Sequence, residues 1–274
     1  MNRKSIHNTL WVATLLAGLF TATSLPAQQA NIPSESKAPA PQTPPSGHPN
    51  DTYWNARDRQ LLVDFGNLAR FKEANEMLGA PKPDEDRVVF MGDSITQGWN
   101  LAESFPGKPY VNRGISGQTT PQMLVRFRQD VIDLEPKAVI ILAGTNDIAG
   151  NTGPMPLEQT EGDIASMAEL ATANGIHVVI CSILPAFDYK WAPGQEPAPK
   201  IVKVNAWLKD YAAQKGYVYV DYYSAMKDDR GGLPATLSKD GVHPLPAGFA
   251  IMTPLAQAGI EQALQGDPHR SLTK

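Results

Sequence analysis

A serine stands two residues past a glycine in Gly92-Asp93-Ser94, directly after the apolar run Val88-Val89-Phe90-Met91. Such a serine sits just beyond the carboxyl end of a strand, where open α/β sheets place their ligands. A hydroxyl is a poor nucleophile unless a base takes its proton and donors hold the oxyanion its attack creates. The chemistry suggested for Ser94 is acyl transfer. It requires a histidine, a carboxylate to orient that histidine, and hydrogen-bond donors nearby.

Of the five histidines, His7 lies in an apolar leader, His48 in a Pro-rich stretch, His177 in an apolar run and His269 in a polar tail. His243 remains, in Ser238-Lys239-Asp240-Gly241-Val242-His243-Pro244. One tight turn at Gly241 would let Asp240 accept from one ring nitrogen while the other faces Ser94. Alone, an aspartate three residues before a histidine equally describes a helix-entry loop with a surface carboxylate. Two further loops follow apolar runs. Asn112-Arg113-Gly114-Ile115-Ser116-Gly117 offers an unobstructed backbone N–H at Gly114, and Ala143-Gly144-Thr145-Asn146-Asp147 offers the side-chain amide of Asn146. Each loop also reads as an ordinary turn, because glycine permits tight turns and Asn and Asp favour them. Jointly they occupy successive loops on the same side as Ser94.

The elements that must position these residues alternate regularly. Apolar runs at 87–91, 110–112, 138–142, 176–181 and 217–220 predict five strands. Amphipathic patterns lie between them: Leu124, Phe127, Val131 and Leu134 behind a Thr120 cap and Pro121, then Ile164, Met167 and Ala171, then Ile201, Val204, Leu208 and Tyr211. A last helix is expected from Pro246 to Leu264, with a kink or break at Pro254. Five short runs alternating with such helices predict a three-layer α/β/α sandwich around a five-stranded parallel sheet.

Ahead of that domain, Arg3 and Lys4, an apolar core from Leu10 to Phe20 and Leu25-Pro26-Ala27 read as a secretory signal over 1–27. The apolar core is too short to cross a bilayer comfortably, so no stable membrane insertion is expected after cleavage, with an uncleaved anchor as the alternative. Residues 28–50 are rich in Pro, Ser, Ala and Gln and read as a disordered linker. Leu61, Leu62, Phe65, Leu68, Ala69 and Met77 recur at helical spacing and predict a helical extension over 51–81, ahead of the main domain at 82–266 and a polar tail at 267–274. The formal charge of −4 gives no electrostatic footprint for a nucleic-acid partner. Cys181 is the single cysteine and lies inside an apolar run, which excludes an internal disulfide and reads as a small buried hydrophobe.

The ordered set of motifs is similar to that of the SGNH, or GDSL-type, hydrolases. It comprises Gly92-Asp93-Ser94-Ile95-Thr96, the glycine at Gly114, Gly144-Thr145-Asn146-Asp147 and Asp240-Gly241-Val242-His243. The resemblance spans residues 87–251 and implies a flavodoxin-like fold and ester hydrolysis. It implies Ser94 as nucleophile, His243 as general base and then acid, and Asp240 as the residue orienting His243. The implied oxyanion donors are the backbone N–H groups of Ser94 and Gly114 and the side chain of Asn146. Asp93 and Asp147 are expected to cap and brace loops.

Other chemistries lack their residues. No G-x-S-x-G surrounds Ser94, no phosphate-cradling glycine loop is present, and no H-E-x-x-H or clustered Cys/His pattern supports a metal. Neither cofactor nor metal is expected. Substrate preference is less legible. The segment 184–194 follows the fourth strand and carries Phe187, Tyr189 and Trp191, which with Trp99 can stack on a sugar, line an acyl pocket or simply pack the loop. The expectation is an exported esterase that removes short acyl groups, such as acetyl, from a small-molecule or carbohydrate ester. The alternatives are a lysophospholipase-like lipid esterase and a non-catalytic carbohydrate-binding protein on the same scaffold.

Overall fold

The computed structural model describes residues 60–266. The expected signal, linker and polar tail lie outside the described residues, as do residues 51–59 of the expected extension.

Five strands, β1 (Val88–Gly92), β2 (Tyr110–Gly114), β3 (Ala138–Leu142), β4 (His177–Cys181) and β5 (Val218–Val220), form one sheet in the order β2-β1-β3-β4-β5. Every pairing is parallel, with Gly92 in register with both Gly114 and Leu142. Strands buried on both faces need apolar residues at every position, which the Val/Ile-rich runs supply. Alternate side chains then divide between two cores. Val89, Met91, Val139, Ile141, Val178 and Ile180 face one side, where they meet helices α4 (Thr120–Asp130), α6 (Leu157–Ala173) and α7 (Pro197–Lys215). Val88, Phe90, Ile140, Val179 and Cys181 face the other, against α2 (Ser94–Gln97), α3 (Leu101–Ser104), α8 (Tyr222–Met226) and α9 (Pro246–Leu264). Each fully buried side chain of this kind, Phe127 or Ile141 for example, contributes about 1.5–3 kcal/mol relative to exposure. The result is the expected three-layer sandwich. β1 sits between β2 and β3, so the strand order reverses there and opens a crevice at the carboxyl ends of β1 and β3.

Three local expectations are revised. The cap of α4 is Thr119 rather than Thr120, because Gln122 Oε1 reaches back to the Thr119 N–H at 3.0 Å. Of the kink or break expected at Pro254, the break does not occur, since α9 runs on through it. The extension is not one helix: residues 60–63 make a single helical turn, and α1 (Lys72–Leu78) begins only after an intervening turn. Asp64 causes the interruption, accepting from the N–H groups of Leu68 and Ala69 at 2.8 and 3.1 Å, with Asn67 at a positive φ of 53°. Leu62, Val63 and Met77 are exposed, while Leu78 packs against the core. Glutamine amides hold the extension as well. Gln118, Gln122 and Gln129 donate to the carbonyls of Gly66, Phe65 and Leu68 at 2.9, 2.8 and 2.7 Å.

Candidate active site

The crevice is built from three loops that leave the sheet at its carboxyl edge. After β1 the chain turns at once into α2, so Ser94 is the first helical residue and its backbone N–H has no intrahelical acceptor. Asp93 caps the helix, its Oδ1 accepting from the Ile95 N–H at 2.9 Å. Gly92 has to be glycine here: a Cβ would lie 2.1 Å from Thr96 Oγ1 and 2.8 Å from the Leu142 carbonyl. The end of β1 is further fixed by buried Arg126, whose guanidinium donates to the Gly92 carbonyl at 3.1 Å while paired with Asp130.

His243 reaches Ser94 from the loop before α9. Ser94 Oγ and His243 Nε2 are 2.8 Å apart, and His243 Nδ1 and Asp240 Oδ2 are 2.7 Å apart. A carboxylate can only accept, so Nδ1 carries the proton and Nε2 offers its lone pair to the serine hydroxyl. The loop is shaped by Asp240 itself. Its Oδ1 accepts from the N–H groups of Val242 and His243 at 3.0 and 2.9 Å and from Ser238 Oγ at 3.0 Å. Gly241, at φ 85°, makes the tight turn. Burial pushes the Asp240 carboxyl up, but the His243 N–H, the His243 imidazole and the Val242 N–H outweigh it and hold the group well below the usual carboxylate range. A carboxylate kept ionised in this way favours the imidazolium that forms when His243 takes a proton. About half of each side chain remains exposed, 45% for His243 and 44% for Asp240, so solvent and substrate can reach the pair.

Asn146 lies in α5 (Thr145–Ile148), directly after β3 and Gly144. Its Nδ2 donates to Asp93 Oδ2 at 3.2 Å and to the Gln118 carbonyl at 3.0 Å, while its Oδ1 accepts from Asn151 Nδ2 at 2.7 Å. The amide is therefore buried, oriented, and adjacent to the cap of the Ser94 helix. Asp147 accepts from the Thr120 hydroxyl. It also accepts from the Thr120 N–H at 3.0 Å and braces the start of α4.

Three expected site residues are placed differently from the expectation. The Gly114 N–H donates to Asn112 Oδ1 at 2.9 Å and is engaged within its own loop. Gly114 is the last residue of β2, and its missing side chain makes room for α2: a Cβ would come within 2.1 Å of the Gln97 nitrogen. Trp99 is 3% exposed, sits edge-on to Phe90 at 5.6 Å and donates to Ser104 Oγ, so it belongs to the core. Tyr189 is fully buried beneath Trp191, with ring centroids 4.8 Å apart, and presents no face to a substrate. Of the four aromatics, Phe187 and Trp191 remain accessible. Phe187 is 53% exposed beneath the Arg230 guanidinium, and the Trp191 ring lies 6.5 Å from the His243 ring.

Sequence reasoning passed over two polar residues here. Ser238 donates to Asp240 and accepts from the Gly241 N–H at 2.9 Å. Asn151 holds Asn146. Their signal was position alone, two residues before Asp240 and five after Asn146. Cys181 is buried, and burial pushes its thiol up to about 12. Among the described residues no group of three or more His, Cys, Asp or Glu is placed to hold a metal ion, and no helix is long and apolar enough to cross a membrane.

Residues 90–251 match the GDSL-like Lipase/Acylhydrolase family, and the chain belongs to that family, whose class is that of carboxylic ester hydrolases. The chain is similar to a GDSL-like lipase of known structure from Bacteroides thetaiotaomicron, with 45% identity over 73% of this chain and 100% of that one and a TM-score of 0.71. It is 26% identical to an acetylxylan esterase from Xylanibacter ruminicola over 76% of this chain and 48% of the relative. It is also 29% identical to an acetylxylan esterase from Geobacillus stearothermophilus, over 52% of this chain and 67% of that one. The chain thus spans only about half the length of the Xylanibacter relative.

Proposed function

We propose that this chain is an exported serine esterase that removes acetyl groups from carbohydrate. The hydrogen-bonded run from Ser94 through His243 to Asp240, at 2.8 and 2.7 Å, carries the reading. Ser94 Oγ attacks the ester carbonyl carbon as Nε2 of His243 takes its proton, and the carbonyl π electrons move onto oxygen. The Ser94 N–H and Asn146 Nδ2 stabilise that oxyanion. The third donor is a backbone N–H of the loop after β2, which Asn151 Nδ2 ties through the Gly117 carbonyl to the Asn146 amide. Asn146 then exchanges its 3.2 Å contact with Asp93 for the oxyanion. The C–O bond to the alcohol breaks, His243 protonates the departing oxygen, and water activated by the same imidazole releases the acid and restores Ser94.

The carbohydrate preference is supported by the names of the two acetylxylan esterase relatives and by Phe187 and Trp191 at the rim. A cavity of 280 Å³ bordered by Phe187, Lys190, Arg230, Leu233 and Lys239 reaches Asp240 and Gly241 at the base of the His243 loop. Export is read from the N-terminal 27 residues.

The test is an acyl-chain-length series run beside acetylated xylo-oligosaccharides and lysophospholipids. Highest kcat/KM on acetyl esters, with acetate released from the oligosaccharide, is the expected outcome. Preference for long acyl chains would replace it with the lipid reading, and no hydrolysis of any ester would leave a binding protein.

A further inference from the structure

Asn151 stands at a junction that a loop packed only for stability would not need. Its backbone N–H donates to the Asn146 carbonyl at 3.0 Å, which folds the loop back so that the two asparagine side chains meet. Asn151 Nδ2 then donates to Asn146 Oδ1 at 2.7 Å and to the Gly117 carbonyl at 3.0 Å. On the other side, Asn151 Oδ1 accepts from the indole Nε1 of Trp191 at 3.1 Å. One amide thus joins three segments: the loop after β2, the loop after β3, and the aromatic loop beside His243.

The chemistry of each bond sets a direction. A primary amide can rotate by half a turn and exchange its oxygen for its nitrogen at little steric cost. A donor fixed against Asn146 Oδ1 opposes that exchange, as do the Asp93 and Gln118 acceptors on the other end, so Nδ2 is the end held toward Asp93. The Trp191 N–H, in turn, fixes which end of the Asn151 amide is the acceptor. Trp191 is braced from behind by its stack on Tyr189. Preorganised donors are effective because they need no reorganisation when charge develops.

We propose that Asn151 is a positioning residue, locking the Asn146 amide and the Trp191 indole into one frame so that the donor and the substrate rim move together. This rests on the reading of Asn146 as an oxyanion donor.

Four variants of the full chain test it: Asn151→Ala, Asn151→Asp, Asn146→Ala, and Asn146→Ala with Asn151→Ala added. Asn151→Ala is expected to lower kcat on an aryl acetate by about tenfold or more, a part of the hundredfold or greater loss on deleting the donor itself. KM should change little. In the Asn146→Ala background the same substitution should cost less than about twofold, because the group it orients is gone. Additive losses would overturn the proposal, as would a full-strength Asn151→Ala enzyme.

Hydrogen exchange at the Trp191 indole, followed by NMR, gives an activity-independent arm. Asn151→Ala should lose its protection. Asn151→Asp keeps an acceptor for the indole but sets a carboxylate oxygen against Asn146 Oδ1, so it should retain indole protection and still lose kcat. Unchanged exchange in Asn151→Ala would contradict the frame. If Asn146→Ala keeps full kcat while indole protection behaves as expected, the oxyanion role of Asn146 fails, and Asn151 is reduced to a structural tie.

Discussion

Asn146 Nδ2 donates to Asp93 Oδ2 at 3.2 Å, so the residue that caps the Ser94 helix also grips the amide beside the serine. Asp93 is fully buried and carries two tasks with one carboxylate. Ser94, its helix cap and the neighbouring Asn146 amide are therefore held as one unit at the crevice between β1 and β3.

That burial has a consequence for stability. It pushes Asp93 up to about 6, against the opposing Ile95 N–H, and it pushes Asp147 up to about 6, against the opposing Thr120 hydroxyl and N–H. A carboxyl whose folded pKa is raised binds its proton more tightly in the folded than in the unfolded chain. Between about pH 4 and pH 6 these two groups make stability fall as pH rises, by about 3 kcal/mol each at full effect. Asp240 acts in the opposite sense, contributing stability above about pH 4 that is lost as pH falls. Asp147→Asn removes one of the two raised groups and keeps an acceptor for the Thr120 N–H. Denaturant midpoints measured from pH 4 to pH 7 should fall less steeply in Asp147→Asn than in the wild type. Parallel slopes would show that Asp147 is not protonated in this window.

Gly114→Ala should act on folding. The added methyl meets the Gln97 nitrogen at 2.1 Å and the Gln97 Cα at 2.7 Å, so α2 has to move. Overpacking of this kind costs about 1–3 kcal/mol. Chemical denaturation should report that loss. Unchanged stability would show that α2 does not pack on Gly114 as closely as these contacts imply.

The accessible and buried aromatics should separate in kinetics. Phe187→Ala should lower kcat/KM on an acetylated xylo-oligosaccharide more than on an aryl acetate, mainly through KM. Trp99→Leu should lower stability, because Trp99 packs against Phe90, Phe105 and Phe249. Equal losses on both substrates for Phe187→Ala would remove it from sugar contact.

Much of this architecture is legible from residue order because parallel strands buried on both faces need unbroken apolar runs, and the chain has five of them. Ser94, Asp240 and His243 are legible for a local reason: a serine at a strand end and a D-G-V-H turn each specify their own backbone. Gly114 is not, since a glycine after a strand reads alike whether its missing side chain admits a substrate or a neighbouring helix. Trp99 and Tyr189 are illegible in the same way, because only packing decides which face of a ring is covered. Asn151 has no motif at all. Its importance arises when three loops distant in sequence converge on one amide. The extension misleads through periodicity, as Asp64 and Asn67 interrupt a helical pattern that the apolar positions alone would continue.

The most direct measurement is the turnover of Ser94→Ala on an acetyl ester, with folding checked by circular dichroism. Removing the nucleophile should lower kcat on the order of a millionfold. Wild-type turnover from a correctly folded Ser94→Ala protein would contradict the mechanism.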